Sequence, residues 1–313
     1  MPALGIDLGG TKLSAAIVCD GRLLTQPIQV PTPLGSDSIV KAIFKVLSDF
    51  RQEHLIAGVG IATAGIVKVD TGEVIGSTGN IPGWEGTPIR TLIEHQTMLP
   101  AYVENDANSS AYGEFSAGNL RDKKCLVVVT LGTGIGVGIV LDGKLYHGPN
   151  WVAGECGHLK VAMDNHRLCT CGLFDCWEAY GSGRGLLATA NELLSTVKPG
   201  QSELSDHGQD LSTRAIIAAA KRGDIIAQRS MNLWHEHLCA GMVSIAHTLD
   251  PDCFVLTGGM AQFVDYPLLR ELMSDRCLPR IAEKLEIRES VLGKDGGMIG
   301  VAQLVLDDIA TRV

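Results

Sequence analysis

The feature that most constrains the fold is a strand, glycine turn, strand pattern that occurs twice. Residues 3–8 and 12–18 have the pattern of short strands joined by Gly9-Gly10-Thr11. Residues 124–131 and 136–141 flank a second glycine-rich bend, and each strand pair leads into a mixed α/β region. Glycine allows the backbone conformations that such tight turns require. The repetition therefore predicts two duplicated α/β units in one chain.

The length of the chain supports the same division. At 313 residues it is long for a single hydrophobic core. We predict a small α/β domain over residues 1–118, with a C-terminal helix near 298–313 packing back on it. Residues 119–297 are predicted to form a large α/β domain. Helical spacing of apolar residues predicts a helix over Ser38–Arg51, and the last helix is expected near Met298–Ile309.

Composition and charge exclude several classes of protein. The content of hydrophobic residues is 45% and the formal net charge is −9, without a cluster of lysine and arginine. This charge argues against a nucleic-acid surface, and no apolar stretch reaches membrane-spanning length. The start of the chain resembles a strand and lacks a basic targeting segment. Nine cysteines in a chain of this size favour a reducing, cytoplasmic setting over a disulfide framework.

The glycine turns have two interpretations. A turn of this kind is an ordinary hairpin, but a row of backbone N–H groups also cradles phosphate. Neither turn fits the P-loop or the dinucleotide fingerprint. Asp7, just before the first turn, has the chemistry to hold hydrated Mg²⁺. A third pair, Gly258-Gly259, follows a strand and would admit adenosine against bare backbone.

A polar segment, Glu104–Asn108, lies between a short apolar strand and a predicted helix. One interpretation is a helix cap, with Asn105 or Asp106 at the N-cap position. The other is catalytic, because a carboxylate at the end of a strand is well placed to take a proton from a hydroxyl group. Both interpretations stay open at this point.

One histidine and three cysteines have the spacing of a metal site. His158, Cys169, Cys171 and Cys176 form a plausible tetrahedral Cys₃His set for zinc. Such a set is structural, because four protein ligands leave no position for a catalytic water. The carboxylates of Glu155 and Glu178 flank it, and a fixed pair of this kind suits the recognition of hydroxyl groups. This cluster predicts a zinc-braced pocket.

Taken in order, these motifs resemble the ROK family (repressor, open reading frame, kinase) of sugar kinases. They are Asp7–Lys12, Glu104–Asn108, Leu131–Gly136, the Glu155-x-Gly-His158 segment and the Cys169–Glu178 segment. The resemblance runs nearly end to end. It implies an actin-like (hexokinase-type, ribonuclease H-like) fold of two α/β domains around a central cleft. It also implies ATP-dependent phosphorylation of a hexose at its 6-hydroxyl, and a homodimer.

The resemblance also assigns expected roles to residues. Asp106 would be the catalytic base. The sugar would be bound by Gly65, Asn80, Asn105, Asp106, Glu155, His158 and Glu178. ATP and Mg²⁺ would be bound by Asp7, Gly9, Gly10, Thr11, Lys12, Gly132, Thr133, Gly134, Ile135, Gly136, Gly258 and Gly259. A structural Zn²⁺ would be bound by His158, Cys169, Cys171 and Cys176.

The substrate signals conflict. The segment Ala62–Gly65 is closer to the pattern of some N-acetylmannosamine kinases, whereas Gly79–Trp84 resembles glucokinases. The sequence therefore leaves glucose, N-acetylmannosamine and N-acetylglucosamine open, with fructose as an alternative. A catalytically inactive sugar sensor is a second alternative. A sugar-responsive repressor is disfavoured, because Asp7 lies seven residues from the start and leaves no room for a helix-turn-helix.

Overall fold

The chain forms two compact units in a computed structural model that describes residues 1–76, 81–198 and 200–312. Unit 1 comprises Met1–Val128, Gly138–Gly154 and the chain from Ser290 onward. Unit 2 comprises Val129–Val137 and Glu155–Glu289. Among the helices in these described ranges, none has the length and apolar content needed to cross a membrane.

Unit 1 begins with a strand-rich half and is completed by helices. Its elements up to residue 117 are β1 (Ala3–Leu8), β2 (Lys12–Cys19), β3 (Arg22–Leu23), β4 (Ile28–Pro31), α1 (Ser36–Glu53), β5 (Val59–Thr63), β6 (Ile66–Lys68), β7 (Glu73–Gly76), α2 (Ile89–Thr97), β8 (Ala101–Asn105) and α3 (Asp106–Ala117).

The main sheet of unit 1 has the strand order β3-β2-β1-β5-β8, and β4 pairs with β2. Strands β1 and β2 are antiparallel, whereas β1, β5 and β8 run parallel. The side chains of β1 alternate between the two faces of the sheet, as a strand requires. Leu4, Ile6 and Leu8 join the core that includes Ile39 of α1 and Ile89 of α2. Because β1, β5 and β8 run in the same direction, they end at one edge of the sheet, and the polar segments follow there.

The remaining elements follow the second glycine turn. They are β9 (Cys125–Leu131), β10 (Ile135–Leu141), β11 (Lys144–Leu145), a 3₁₀ turn (Glu155–His158), α4 (Glu178–Gly181), α5 (Gly183–Leu194), a 3₁₀ segment (Glu203–Asp210), α6 (Thr213–Arg222), α7 (Ile225–Leu249), β12 (Cys253–Thr257), a 3₁₀ turn (Ala261–Phe263), α8 (Tyr266–Arg276), α9 (Pro279–Ala282), β13 (Glu286–Glu289), a 3₁₀ turn (Gly293–Asp295) and α10 (Gly296–Arg312).

Helix α10 covers the second face of the main sheet in unit 1. Its side chains Ile299, Ala302 and Val305 pack with Ala3 of β1 and Val18 of β2. Two strand glycines make this close approach possible. A Cβ on Gly5 would lie 2.3 Å from the carbonyl oxygen of Met298, and a Cβ on Gly60 would lie 2.2 Å from that of Val301. The C-terminal helix thus packs against the first part of the chain.

The second sheet has the order β11-β10-β9-β12-β13. The boundaries between the two units lie inside strands, after Val128 in β9 and after Val137 in β10. In unit 2, α7 is the longest helix and buries Trp234, Leu238 and Met242. Trp177, just before α4, is fully buried, and its indole N–H donates to the carbonyl of His237 at 2.9 Å. A Cβ on Gly241 would collide with that ring at 2.1 Å.

The division into units differs from the predicted domain boundary at residues 118 and 119. Residues 119–128 and 138–154 belong to unit 1, where the predicted large domain would include them. One physical reason is a buried bond, since His147 contacts Glu104 within unit 1. The predicted helix over Asn108–Gly118 begins at Asp106, because Asn105 caps it.

Candidate functional site

The polar residues of unit 1 come together where three parallel strands end. In the register of the sheet, Asp7 of β1 lies opposite Ala62 of β5, and Ala62 lies opposite Glu104 of β8. Asp106 follows β8 directly and is exposed. Because parallel strands end at a common edge, carboxylates distant in sequence are brought to the same edge of unit 1.

The structure separates the two interpretations of the polar segment. The side chain of Asn105 is the N-cap of α3 and accepts from the backbone N–H groups of Ala107 and Asn108. Its amide group also donates to the carbonyl of Gly65 at 2.9 Å. Asp106 is the first residue of the helix, and its carboxylate accepts from the N–H of Ala107 at 2.9 Å. The N-cap role therefore belongs to Asn105, and Asp106 lies at an exposed position in the first turn of the helix.

A buried network below Asp106 was not predicted from the sequence. Glu104 is 1% exposed, and its carboxylate accepts from the N–H of Asn105 at 2.8 Å and from the amide of Asn108 at 3.1 Å. Nε2 of His147 lies 2.7 Å from the other carboxylate oxygen. Burial lowers the pKa of His147, but the hydrogen bond and charge of Glu104 outweigh it, so the pKa is raised. The acidic segment was visible in the sequence, but its histidine partner lies 43 residues away.

The first glycine turn is an exposed hairpin in unit 1. The N–H of Gly9 donates to the carbonyl of Lys12 at 3.0 Å, and the hydroxyl of Thr32 donates to the carbonyl of Gly9 at 2.7 Å. Gly10, Thr11 and Lys12 are exposed. Burial raises the pKa of Asp7 to about 6, against the opposing charge of Lys12. The backbone of the turn is therefore exposed, beside a carboxylate whose pKa is raised by burial.

The second glycine turn, Gly132–Gly136 in unit 2, is held through its carbonyl groups. Four consecutive carbonyls, from Leu131 to Gly134, accept hydrogen bonds within the unit. Their donors are the N–H groups of Met260 (2.9 Å), Gly183 (2.9 Å) and Gly132 (3.0 Å) and the side chain of Arg184 (3.1 Å). A carbonyl oxygen repels phosphate, so an anion would meet this turn through its N–H groups. Two of these groups already donate within the unit, that of Gly132 to Gly134 and that of Ile135 to Glu178.

The third glycine pair lies beside the second turn. Gly258 has a φ of +91°, and a Cβ at this position would lie 2.5 Å from the carbonyl oxygen of Leu131. A side chain at Gly259 would meet only open space. The structure therefore brings together, within unit 2, two of the glycine segments assigned to ATP.

The four predicted metal ligands form a cluster in unit 2. The ligand atoms of His158, Cys169, Cys171 and Cys176 all lie within 4.8 Å of one another. The distance between Sγ of Cys171 and Sγ of Cys176 is 3.7 Å, and that between Sγ of Cys169 and Nδ1 of His158 is also 3.7 Å. A tetrahedral zinc ion with its usual bond lengths sets sulfur atoms about 3.8 Å apart. The donor set and its spacing therefore fit zinc.

The two carboxylates beside this cluster have different surroundings. Glu155 is half-exposed, with Oε2 at 3.7 Å from Nε2 of His158. Its pKa is raised by burial, although the charge of His158 lowers it and that of Glu178 raises it further. Glu178 is 13% exposed, and its Oε2 accepts from the N–H of Ile135 at 3.0 Å. Its Oε1 accepts from Thr170 and Arg184 (2.8 and 3.0 Å).

Two residues within the cysteine segment, Thr170 and Asp175, have structural partners. Asp175 accepts from the backbone N–H groups of Asn165, His166 and Arg167 at 2.7 to 3.1 Å, and so organises the loop before Cys169. Thr170 donates its hydroxyl to Glu178. Spacing alone gave no signal for these roles, because their partners are backbone groups or distant side chains.

The two segments with conflicting substrate signals contact each other in unit 1. The indole N–H of Trp84 donates to the hydroxyl of Thr63 at 2.9 Å, and Trp84 is fully buried. Its role is therefore packing. Asn80, predicted to bind the sugar, lies outside the described residues.

The fold and the polar groups described above define a class of protein. Its members have two α/β units. Unit 1 carries a capped helix with an exposed carboxylate, and unit 2 carries a glycine turn beside a Cys₃His cluster. The model of the ROK family matches residues 3–308. The chain belongs to the ROK family, which confirms the resemblance found in the sequence.

Known proteins resemble the chain over nearly its whole length. It is 32% identical to a glucokinase of Halalkalibacterium halodurans, over 96% of this chain and 94% of the relative. It is 29% identical to an N-acetyl-D-glucosamine kinase of Shigella flexneri, over 97% and 99%. The crystal structure of a ROK family glucokinase from Streptomyces griseus, in complex with glucose and AMPPNP, matches with a TM-score of 0.80 and 31% identity, over 98% and 100%. The predicted actin-like, two-domain α/β class of fold is confirmed.

Proposed function

We propose that this protein is an ATP-dependent hexose kinase that transfers the γ-phosphate of ATP to the 6-hydroxyl of an aldohexose. The relatives named above support the reaction class. The observation that carries the proposal is the exposed carboxylate of Asp106 at the end of β8, on a helix that Asn105 caps. A base at this position is fixed by the backbone and does not depend on a flexible loop.

In the proposed reaction, Asp106 takes the proton of the 6-hydroxyl as its oxygen attacks the γ-phosphorus. A new oxygen–phosphorus bond forms, the bond between the γ-phosphorus and the bridging oxygen breaks, and ADP leaves. The products are the sugar 6-phosphate, ADP and a proton on Asp106. Exclusion of water from the reacting groups would suppress hydrolysis of ATP.

We assign sugar recognition to the residues that match the sugar-binding motifs of the family. Their shared property is an oxygen or nitrogen atom able to bond a hydroxyl group, and they are Gly65, Asn80, Asn105, Glu155, His158 and Glu178. The bond from Asn105 to Gly65 supports their joint role, because it fixes a backbone carbonyl beside the base. Oε2 of Glu178 accepts from the N–H of Ile135, and we assign the second lone pair of this oxygen to a sugar hydroxyl.

ATP and metal ions are assigned to the glycine turns and to the cysteine cluster. Asp7 and the turn from Gly9 to Lys12 would bind Mg-ATP, together with Gly132–Gly136 and Gly258-Gly259. Bound Mg²⁺ would neutralise charge on the phosphate oxygens, and the carboxylate of Asp7 is the ligand type it prefers. A structural Zn²⁺ at the Cys₃His cluster would hold His158 and the loop around it.

The test is a coupled assay of ADP release with glucose, N-acetylglucosamine, N-acetylmannosamine and fructose. We expect turnover of at least one aldohexose, and a fall of roughly 10²- to 10⁴-fold in kcat for Asp106→Asn. Asp122→Asn, at an exposed position in unit 1, is the matched control. An unchanged rate for Asp106→Asn would contradict the assignment of the base.

The same assay separates the alternatives. A fructokinase would turn over fructose in preference to the aldohexoses. An inactive sugar-sensing protein would bind a sugar without releasing ADP. We further propose a homodimer and a cytoplasmic location, and the nine cysteines, all in the described ranges and all thiols, support the second. Light scattering after gel filtration tests the dimer.

A further inference from the structure

We infer that Arg184 and Glu178 form a strut between the zinc cluster and the second glycine turn, and that Arg184 positions this turn for the phosphates of ATP. This inference rests on the proposed function. It gives the cysteine cluster a role toward the nucleotide, in addition to its predicted role as a brace for the sugar pocket.

The first half of the strut joins the zinc cluster to Glu178. Thr170, between two of the cysteines, donates its hydroxyl to Oε1 of Glu178 at 2.8 Å. The thiol of Cys169, itself a predicted zinc ligand, lies 3.6 Å from the same oxygen. Zinc would fix the positions of Cys169 and Cys171 on either side of Thr170. The orientation of the Glu178 carboxylate therefore depends on the fold of the cysteine segment.

The second half joins Glu178 to the glycine turn. Oε2 of Glu178 accepts from the N–H of Ile135 at 3.0 Å. A Cβ on Gly134 would lie only 2.1 Å from this oxygen, so the glycine is what allows the carboxylate to approach. The carboxylate thus bonds the cysteine segment with one oxygen and the turn with the other.

Arg184 makes the strut rigid. Its guanidinium donates to Oε1 of Glu178 at 3.0 Å, to the hydroxyl of Thr170 at 3.3 Å and to the carbonyl of Thr133 at 3.1 Å. The planar fork of arginine can hold several acceptors in one geometry, which a lysine ammonium does not reproduce. By bonding the Thr133 carbonyl, Arg184 fixes the peptide plane between Thr133 and Gly134. The N–H group of Gly134 lies on the opposite side of this trans peptide, where an anion would meet it.

The strut also accounts for the position of Arg184 in the sequence. Arg184 lies between Gly183 and Gly185 at the start of α5, and the N–H of Gly183 donates to the carbonyl of Gly132. The helix and the turn are therefore joined by two bonds from adjacent residues. A residue in this position acts on the turn, and through it on the nucleotide.

The experiment measures equilibrium binding of a non-hydrolysable ATP analogue to Arg184→Ala, together with the KM values for ATP and for sugar. We expect the dissociation constant and the KM for ATP to rise about tenfold, with a smaller rise in the KM for sugar, because Arg184 also bonds Glu178, which is assigned to the sugar. Arg222→Ala is the matched control, because Arg222 forms an exposed ion pair with Glu203 in the same unit. A rise in the KM for sugar alone, or equal binding by Arg184→Ala and the wild type, would overturn the inference.

Zinc removal completes the test. Chelation should weaken analogue binding by the wild type and add little in Arg184→Ala, because both changes act through one strut. Thr170→Val keeps all four metal ligands and should weaken analogue binding by about threefold with unchanged zinc content. The inference would be overturned if chelation weakened analogue binding equally in both proteins, or if Thr170→Val bound the analogue as tightly as the wild type. A wild type that binds no ATP analogue would contradict the proposed function as well, so the two failures are distinguishable.

Discussion

The buried bond between Glu104 and His147 allows a test of whether a charged pair stabilises unit 1. In His147→Gln the new amide can still donate a hydrogen bond to Glu104, but this donor carries no charge. The variant therefore isolates the loss of positive charge. Glu104 is 1% exposed and the side chain of His147 is 16% exposed. Water therefore screens the pair only weakly, and the charge contributes measurably to the free energy of unfolding.

The magnitude follows from the type of hydrogen bond. A hydrogen bond to a charged group contributes about 1.5 to 3 kcal/mol, with a bond between two charged groups near the upper end and a bond from an uncharged amide to a carboxylate near the lower end. The substitution should therefore lower the free energy of unfolding by about 1.5 kcal/mol. For a compact unit of roughly 150 to 250 residues this corresponds to a fall in Tm of about 4 °C.

The effect should depend on pH in one direction. The pKa of His147 in the folded protein is raised above its ordinary value of 6.5, because Glu104, with a smaller contribution from Asp70, outweighs the effect of burial. A raised pKa in the folded state means that the stabilisation is complete below the unfolded pKa and is lost as pH rises through the folded pKa. The difference in Tm between wild type and variant should therefore be larger at pH 6 than at pH 9.

The assay is thermal unfolding followed by circular dichroism at both pH values, with His95→Gln as the control at an exposed histidine. The control should match the wild type at each pH. A difference in Tm that is the same at pH 6 and pH 9 would refute a charged pair. A variant indistinguishable from the control would refute any contribution of the bond.

Further predictions concern close contacts. Gly60→Ala places a Cβ 2.2 Å from the carbonyl of Val301, so it should lower the Tm of unit 1 or abolish folding, and a normal melting curve would contradict the packing of α10. Gly134→Ala displaces Glu178 and should lower stability by about 1 to 2 kcal/mol, whereas Gly132→Ala, with nothing within 4 Å, should be nearly neutral in the same unfolding assay. Elemental analysis of protein purified without added metal should find about one zinc per chain, as a closed four-ligand site implies. A chain without zinc would contradict the Cys₃His assignment.

Much of the fold was predictable because local signals agreed with one another. The apolar spacing over residues 38–51 predicted α1, and the glycine turns marked both hairpins. The polar segment at 104–108 pointed to both a cap and a base, and the structure assigns the cap to Asn105. The cysteine spacing predicted a cluster that the structure brings within bonding reach of one ion.

The supporting contacts were not predictable in the same way. Residues 138–154 group with unit 1, where the bond from His147 to Glu104 joins segments 43 residues apart. The partners of Arg184 were hidden for the same reason, since they lie 6, 14 and 51 residues away. Local patterns do not encode such pairings, which depend on how strands and helices pack.

The amino-acid sequence by itself determined the family, through the resemblance of its ordered motifs, and with it the class of fold. It also supplied the predicted cysteine and histidine ligands and the acidic residues at the strand ends, because turns, caps and metal-ligand sets are short-range features. Only the tertiary structure decided the surroundings of these carboxylates. Glu104 is buried against a histidine, Glu178 joins the cysteine segment to a glycine turn, and Asp106 lies exposed on a helix that its neighbour caps. Burial and long-range hydrogen bonds distinguish these three acids, and the folded chain alone creates both.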